Sequence, residues 1–164
     1  MFGLSSRCLL VAAVVCSCLA VVGAVAGPAE TAQIKPRQDK LRDMGGALKA
    51  ISDELKKGKV DWDNIVQPNA QTLKDRSGYL LKWFPKGSGP ESGVKTYALP
   101  AVWQKNDDFQ KLGKAMQAEV LKLDQAAASK NTDALRAQVV ATGKACKACH
   151  DDYRSPDYEK ENED

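Results

Sequence analysis

The sequence predicts an all-α protein built as an antiparallel four-helix bundle. Three observations lead to this fold class. Apolar residues recur at helical steps of three, four and seven in four separate stretches, and no stretch shows the alternation of a β-strand. Pro, Gly, Asn and Ser separate these stretches. Four amphipathic helices with one apolar face each can bury those faces together by packing as a bundle.

The first 26 residues are expected to be a cleaved secretory signal. A basic start at Arg7 precedes an apolar run over residues 8–22, and the Ala-Val-Ala triplet at 24–26 is typical of a signal peptidase site. A retained anchor is an alternative, although the run is short for a membrane span of about 20 residues. Lipid modification near Cys16 or Cys18 is another. The mature chain, residues 27–164, would be an exported, periplasmic protein without membrane contact.

Composition excludes several classes of protein. Loss of the signal removes three of the five cysteines and leaves Cys146 and Cys149, so a disulfide scaffold is not expected. The formal net charge falls by one, from +3 to about +2, when Arg7 is removed. Basic and acidic residues are interleaved, so nothing favours nucleic acid as a partner. The acidic tail, residues 157–164, is expected to be solvated and frayed.

The first helix is predicted by an apolar face that runs to about Lys57. Pro36 fits its first turn and Gly58 suits its end. The pair Gly45-Gly46 costs about 1 kcal/mol per residue relative to alanine, so it marks either a weak point or close approach by another helix or a ligand. The residues of the face are Ile34, Leu41, Met44, Leu48, Ile51 and Leu55.

A second helix is predicted from near Pro68 to Pro85. The following segment, residues 85–100, is rich in Pro, Gly and Ser and is expected to be a surface loop with a functional role. The inward residues of this second helix would be Ala70, Leu73, Leu80, Leu81 and Phe84, with Val66 just before it.

Two longer helices complete the predicted bundle. The third runs from about Asp107 to Ser129, with Trp103 just ahead of it, and the fourth begins after Asn131, a suitable N-cap. The apolar stripe of the third is Phe109, Leu112, Met116, Val120, Leu123 and Ala127. The stripe of the fourth is Leu135, Val139, Thr142, Cys146 and Cys149.

The segment Cys146-Lys147-Ala148-Cys149-His150 has the spacing of a c-type haem attachment site. Two thiols three positions apart lie on one helical face, so they can form thioethers with the two vinyl groups of one haem. His150 then lies where its nitrogen can bind the iron. One covalently bound haem c per chain is the cofactor expected.

Three alternatives compete with haem. A structural zinc site needs about four protein ligands, and the chain has a single histidine. A thioredoxin-like redox pair expects the first cysteine at a helix N-terminus, whereas Cys146 lies near the end of a helical stripe. A chance occurrence of this five-residue segment would leave the only histidine of the chain, His150, without a role. Export favours haem, because c-type maturation takes place outside the cytoplasm.

The sequence resembles the cytochrome c prime family, the helical-bundle class of c-type cytochromes. Its C-terminal motif from Cys146 to Arg154 carries the resemblance, together with Arg37-Gln38 and an apolar residue four positions after the arginine. The stretches around Trp83 and Trp103 are similar to the family's loop before the third helix. The resemblance covers essentially the whole mature chain.

The resemblance implies that Leu41 faces the iron on the side opposite His150. Leucine cannot bind a metal, so the family pattern implies an open sixth position that takes small diatomic gases such as nitric oxide. Met44, three residues on, is the alternative sixth ligand and would give a six-coordinate, low-spin electron carrier. Packing in the core is the other interpretation of Met44.

The resemblance also implies roles for residues around the haem. Arg37 and Gln38 would approach the propionates, although Arg37 could instead be a solvated side chain at a helix start. Arg154 would lie beside the His150 face of the haem or act as a cation at a helix C-terminus. Phe84 and Trp103 would be pocket walls or ordinary core, and Lys95-Thr96 would close the haem edge.

The function expected is that of a gas-binding and electron-carrying cytochrome. An unidentified redox protein and a possible homodimer are the expected protein partners. No pairing of a nucleophile with a base is visible, so the protein is not expected to be an enzyme.

Overall fold

Four long helices and several short helical segments make up the part of the chain that the structure describes. The computed structural model describes residues 27–162, so the predicted signal and the last two residues lie outside it. The long helices are α1 (Ile34–Glu54), α2 (Gln67–Ser77), α3 (Asn106–Ala128) and α4 (Thr132–Tyr153). The shorter segments are Pro28–Thr31, a π-helical turn Trp62–Val66, 3₁₀ turns Leu80–Trp83 and Pro90–Ser92, and helices Ala101–Gln104 and Asp157–Asn162.

The fold class predicted from the sequence is confirmed. Within residues 27–162 there is no strand, and the one isolated bridge pairs Ala98 with Arg154. Asn131 caps α4 as predicted, because its side-chain oxygen accepts a hydrogen bond from the Ala134 amide at 2.9 Å. None of the helices in the described range has the length and apolar character needed to cross a membrane.

The predicted second helix is wrong in its C-terminal half. It ends at Ser77 and Gly78, and a 3₁₀ turn over Leu80–Trp83 replaces the expected continuation to Pro85. A 3₁₀ turn places residues three apart on one face. Leu80 and Trp83 are both buried, so the change of helix type brings both side chains into the core.

The bundle is closed on three sides and looser on the fourth. α1 packs along α2, α2 along α3, and α3 along α4, whereas α1 and α4 meet over a much shorter stretch. We call this sparse contact between α1 and α4 the seam. The end of the bundle that contains Ile51, Val66, Leu123 and Leu135 is tightly packed, with these side chains fully buried.

The acidic tail is not frayed where the structure describes it. Residues 157–162 form a short helix beyond α4, and Ser155 donates a backbone hydrogen bond to the Tyr97 carbonyl at 2.7 Å. Most of these residues are exposed to solvent as expected, whereas the expectation of a frayed end is wrong, because backbone pairing with a distant loop leaves no periodic signal in the sequence.

Candidate haem site

A large cavity lies along the seam, and the segment Cys146–His150 borders it. It has a volume of about 730 Å³, and its walls come mainly from α1, α3, α4 and the segment between Leu80 and Ala98. Cys146, Cys149 and His150 on α4 all line it and are partly buried. This volume falls in the range of about 300–1,000 Å³ that is usual for cofactor pockets. The structure therefore brings the three motif residues to one cavity.

The two thiols lie in an apolar environment that keeps them protonated. Burial raises the pKa of Cys149 to about 11, with further contributions from Cys146 and Asp152. Burial also raises the pKa of Cys146. A thioredoxin-like pair requires the opposite, a lowered thiol pKa at a helix N-terminus, and α4 begins at Thr132. The thioredoxin-like alternative is therefore wrong.

His150 is held in its neutral form. Burial lowers its pKa to about 4, and the nearby positive charge of Arg154 lowers it further. A neutral imidazole has a lone pair available for a metal. Across the described residues, no three His, Cys, Asp or Glu side chains converge as a metal-binding group, so the zinc alternative has no ligand set there.

Glycines keep the cavity open. Gly45, Gly46 and Gly143 line it, and a Cβ placed on any of them would meet no atom within 4 Å. Tight packing against another helix therefore does not explain the Gly45-Gly46 pair, and a weak point in the helix or a ligand in the cavity remain as explanations. An apolar cavity of this size, flanked by two thiols and a neutral imidazole, fits a haem in volume and in donor chemistry.

Leu41 and Met44 both line the cavity from α1. Met44 is 6% exposed and belongs to the core cluster that includes Ala47 and Ile51. Leu41 is only partly buried and packs against the edge of that cluster. Met44 thus has the packing expected of a core methionine, while Leu41 is the more loosely held of the two.

Arg37 is a buried residue, so the interpretation of it as a solvated side chain is wrong. It is 1% exposed, and burial lowers its pKa to about 10 while Glu91 opposes this shift. Nη1 donates to the Trp83 carbonyl and to Ser88 Oγ, and Nη2 donates to the Ser88 carbonyl and to Thr96 Oγ1, at 2.9–3.2 Å. Arg37 therefore ties α1 to the loop that follows the 3₁₀ turn.

Gln38 and Thr96 hold the same loop against α1. The Gln38 amide donates to the Lys95 carbonyl at 3.2 Å, and the Thr96 hydroxyl accepts from Arg37 at 2.9 Å. Both residues line the cavity. The predicted contribution of the loop to the site is thus consistent with where the loop lies.

Phe84 forms a wall of the cavity, and Trp103 does not. Phe84 lines the cavity and stacks under the Arg37 guanidinium, 4.6 Å from its ring centre. Trp103 lies behind Phe84 and donates its indole N–H to the carbonyls of Phe84 and Pro85. Trp103 positions the wall from outside.

Arg154 caps α4 next to the site. Its backbone N–H donates to the His150 carbonyl at 3.1 Å, its guanidinium pairs with Glu159, and the side chain lines the cavity. The pocket also includes residues that the sequence did not predict. Tyr153 lies on the Cys146–Cys149 stripe and could have been found from it, whereas Tyr97, Tyr158 and Glu159 come from non-periodic segments.

The Thr142 hydroxyl is the one buried side-chain polar atom in the described chain without a hydrogen-bond partner. It is fully enclosed one turn before Cys146. An unpaired buried hydroxyl costs free energy, typically about 1–3 kcal/mol. The face of α4 that carries Cys146 and Cys149 therefore contains a polar group that lowers the stability of the chain.

Comparison with known proteins agrees with this geometry. A family model described as Cytochrome C' matches residues 32–154. Cytochrome c' of Alcaligenes xylosoxydans xylosoxydans is 34% identical over 122 residues, which cover 74% of this chain and 91% of the relative. Cytochrome c' of Rhodopseudomonas palustris is 34% identical over 142 residues, covering 84% and 91%.

Solved structures show the same fold. Cytochrome c' from Thermochromatium tepidum superposes with a TM-score of 0.70 at 27% identity, covering 77% of this chain and 96% of that chain. A nitric oxide complex of a variant of cytochrome c prime from Alcaligenes xylosoxidans superposes with a TM-score of 0.68 at 28% identity, covering 77% and 96%. With a family model matched over three quarters of its length, this chain belongs to the cytochrome c' family of haem c proteins.

Proposed function

We propose that the protein is a monohaem c-type cytochrome with an open gas-binding position on the side of the iron that faces α1. Cys146 and Cys149 would hold the haem through thioethers, and His150 would bind the iron. The observation that carries the proposal is that His150 and Leu41, a residue without a lone pair, line the same cavity from α4 and α1. When bound, the haem supplies an iron that changes between ferric and ferrous states and coordinates diatomic gases.

The residues on α4 are suited to attachment. The apolar surroundings that raise the pKa of the Cys146 and Cys149 thiols also slow their oxidation, because the thiolate is the reactive form. His150 is neutral, so no proton has to leave before its nitrogen binds the metal.

Leu41 supports an open sixth position on the iron that would admit neutral diatomic molecules and exclude water and anions. Its hydrocarbon side chain excludes water and anions by bulk, and its partial burial leaves it room to move aside for a neutral diatomic. The Alcaligenes variant solved as a nitric oxide complex supports nitric oxide as the gas. Met44 is fixed in the core cluster, which favours packing over ligation.

Arg37 would act on the haem through its charge more than through its hydrogen bonds. Four of the five N–H donors of its guanidinium are engaged by Trp83, Ser88 and Thr96. A propionate near Arg37 and Gln38 would therefore meet a cation held in place by the loop. Phe84 and Thr96 would complete that wall.

The remaining parts of the proposal concern export, location and protein partners. We propose that residues 1–26 are a cleaved signal, that the mature protein is periplasmic, and that it exchanges electrons with a redox protein. Homodimer formation is a further proposal that follows from the family. Substrate turnover is not part of the proposed function, since the sole histidine is assigned to iron.

The rival function is a six-coordinate, low-spin electron carrier. The observation in its favour is that the Met44 thioether also lines the cavity. Rotation of α1 would be needed to exchange Leu41 for Met44, because the two residues are three positions apart on the helix.

Optical absorption and electron paramagnetic resonance spectra of the purified protein and of three variants test these functions. We expect the ferric and ferrous forms to be mainly five-coordinate and high-spin, and the ferrous form to bind nitric oxide and carbon monoxide. Leu41→Ala should speed carbon monoxide binding, and Leu41→Met should shift the spectrum toward low-spin by offering a thioether. Met44→Leu is the matched control and should leave the spectrum unchanged. A low-spin native spectrum that Met44→Leu makes high-spin would establish the rival.

A further inference from the structure

The chain beyond Arg154 lies outside the region that matches the family model, yet it is folded against the site. The family match ends at residue 154, and the helix Asp157–Asn162 follows. We call residues 155–162 the C-terminal cap. A backbone hydrogen bond from Ser155 to the Tyr97 carbonyl at 2.7 Å fastens its base, and one from Leu99 to the Tyr153 carbonyl at 2.9 Å holds the end of α4 just before it.

Side chains extend this attachment along the cap. The Tyr97 hydroxyl donates to Glu161 at 2.8 Å, and Lys95 forms an ion pair with the same carboxylate. The rings of Tyr97 and Tyr158 meet edge to face with centres 5.2 Å apart. Hydrogen bonds from Lys95 and Tyr97 lower the pKa of Glu161, so the carboxylate is ionised when it makes these contacts. The cap is therefore docked on the segment that begins at Lys95.

The cap also holds Arg154. The guanidinium carbon lies 4.4 Å from the centre of the Tyr158 ring, and Glu159 forms an ion pair with the guanidinium. Tyr158, Glu159 and Arg154 line the same cavity as His150. The cap thus places a compensated cation and an aromatic ring on the His150 side of the cavity.

We propose that the C-terminal cap is a positioning element that fixes Arg154 and neutralises its charge beside His150, and that it closes this side of the haem site to water and ligands. The inference rests on the proposed haem function and adds residues outside the family match to the site. Glu159 acts through Arg154 and is a positioning residue. With its carboxylate removed, Arg154 becomes an uncompensated positive charge near the iron, which favours the ferrous state.

The first experiment compares two variants that remove one carboxylate each from the cap. Glu159→Gln should raise the reduction potential of the haem protein, because Arg154 loses its partner. Asp157→Asn is the matched control, since the Asp157 carboxylate pairs with Lys160 and accepts from Ser155 Oγ, whereas the ion pair of Arg154 is with Glu159. A purely long-range effect of charge would move both potentials alike and would overturn the positioning role.

The second experiment ends the chain after Ser155, which removes the rest of the cap and keeps the backbone hydrogen bond from Ser155 to Tyr97. The fraction of the ferrous nitric oxide complex in which the bond from His150 to iron is lost should rise several-fold, because the His150 side is opened. Trypsin should also cleave after Arg154 at least several-fold faster in Glu159→Gln than in Asp157→Asn, a readout that needs no haem reactivity. Equal ligand behaviour and equal cleavage would contradict the inference.

Failure of the proposed function would look different. A denaturing gel stained for haem reports whether the native chain and each variant carry the cofactor covalently. Absence of stain from the native protein would refute the haem function and the cap with it. A stained native protein whose potential and nitric oxide complex are insensitive to Glu159 and to truncation would refute the cap alone.

Discussion

The two ends of the bundle are packed by different rules. At one end, Ile51, Val66, Leu123 and Leu135 are fully buried and fill the space between the helices. At the other end, the same helices surround a cavity of about 730 Å³ with glycines on its walls. We call these the closed end and the cavity end. Side chains of the protein fill the closed end and leave a cavity at the cavity end. We therefore expect the closed end to keep its packing without a bound cofactor, and the cavity end to lose it.

Polar contacts reinforce the difference. At the closed end, Glu54 is 2% exposed and accepts the Asp61 amide at 2.9 Å and the Lys57 ammonium at 2.6 Å. Arg136 donates to the Leu55 carbonyl at 3.1 Å and joins α4 to the end of α1. At the cavity end, α4 is joined to the rest of the molecule by the Tyr97 segment and the C-terminal cap. Within residues 27–162, the hydrogen bond that joins α4 to the C-cap residue of α1 lies at the closed end.

The largest expected effect comes from removing both thiols. Cys146→Ala combined with Cys149→Ala should abolish covalent haem. The cavity end should then lose ordered packing, because the haem that would fill it is no longer covalently attached. Each single variant should keep at most one thioether. Haem staining on a denaturing gel, with near-ultraviolet circular dichroism for packing, makes the measurement. Covalent haem recovered from the double variant would contradict the assignment.

The same substitution at the two ends should have different consequences. Leu135→Ala at the closed end should lower the free energy of unfolding by about 2–5 kcal/mol, because a fully buried side chain leaves a cavity, and should not change the carbon monoxide rate. Leu41→Ala should cost less stability and speed carbon monoxide binding. Urea unfolding and stopped-flow mixing measure the two effects. Equal stability losses would remove the distinction between the ends.

A glycine on the cavity wall provides a smaller test. Gly143→Ala should stabilise the haem-free double cysteine variant by up to about 1 kcal/mol, because alanine is the better helix former and its Cβ meets no atom within 4 Å. In the haem-bearing protein the gain should vanish or reverse if the cofactor occupies that space. Gly113→Ala is the contrasting variant and should give a smaller gain than Gly143→Ala in the haem-free form, since its Cβ would lie 2.5 Å from Leu81 Cδ2 and the leucine side chain would have to shift.

The smallest effect concerns pH at the closed end. Hydrogen bonds from Lys57 and then from the Asp61 amide lower the pKa of Glu54 below its usual 4.5. The group therefore contributes stability above that unfolded value, and the contribution is lost as pH falls through the folded pKa. Glu54→Gln should lose less stability than the native protein between pH 7 and pH 3 in urea titrations. An identical loss in both proteins would exclude Glu54 as a source of acid sensitivity.

Sequence alone predicted the parts of the molecule that repeat locally. Three of the four helices lie within a few residues of their expected ends, because their apolar spacing and the Asn131 cap are local signals. The pentad at Cys146 to His150 is also local, and its residues meet at one cavity. The assignment of thioethers and an axial histidine stays a prediction.

The parts that sequence missed depend on distant contacts. Arg37 reaches Ser88, 51 positions away, and Tyr97 reaches Glu161, 64 positions away, in segments without helical periodicity. The end of α2 at Ser77 was missed because Leu80, Leu81 and Phe84 continue an apolar pattern in which a 3₁₀ turn is hard to tell from an α-helix. Burial of a single arginine likewise leaves no pattern in the sequence.

The sparse seam between α1 and α4 sets the order in which the molecule should come apart. All the proposed attachments of the haem are on α4, so α1 can separate from the cavity end without breaking a covalent bond. Amide protons around Gly45 should then exchange with solvent through a partial opening of low free energy, whereas those near Ile51 should exchange only through global unfolding. Opening of the seam would give a gas a second route to the cavity beside the movement of Leu41, so partial unfolding and gas entry would be coupled through α1.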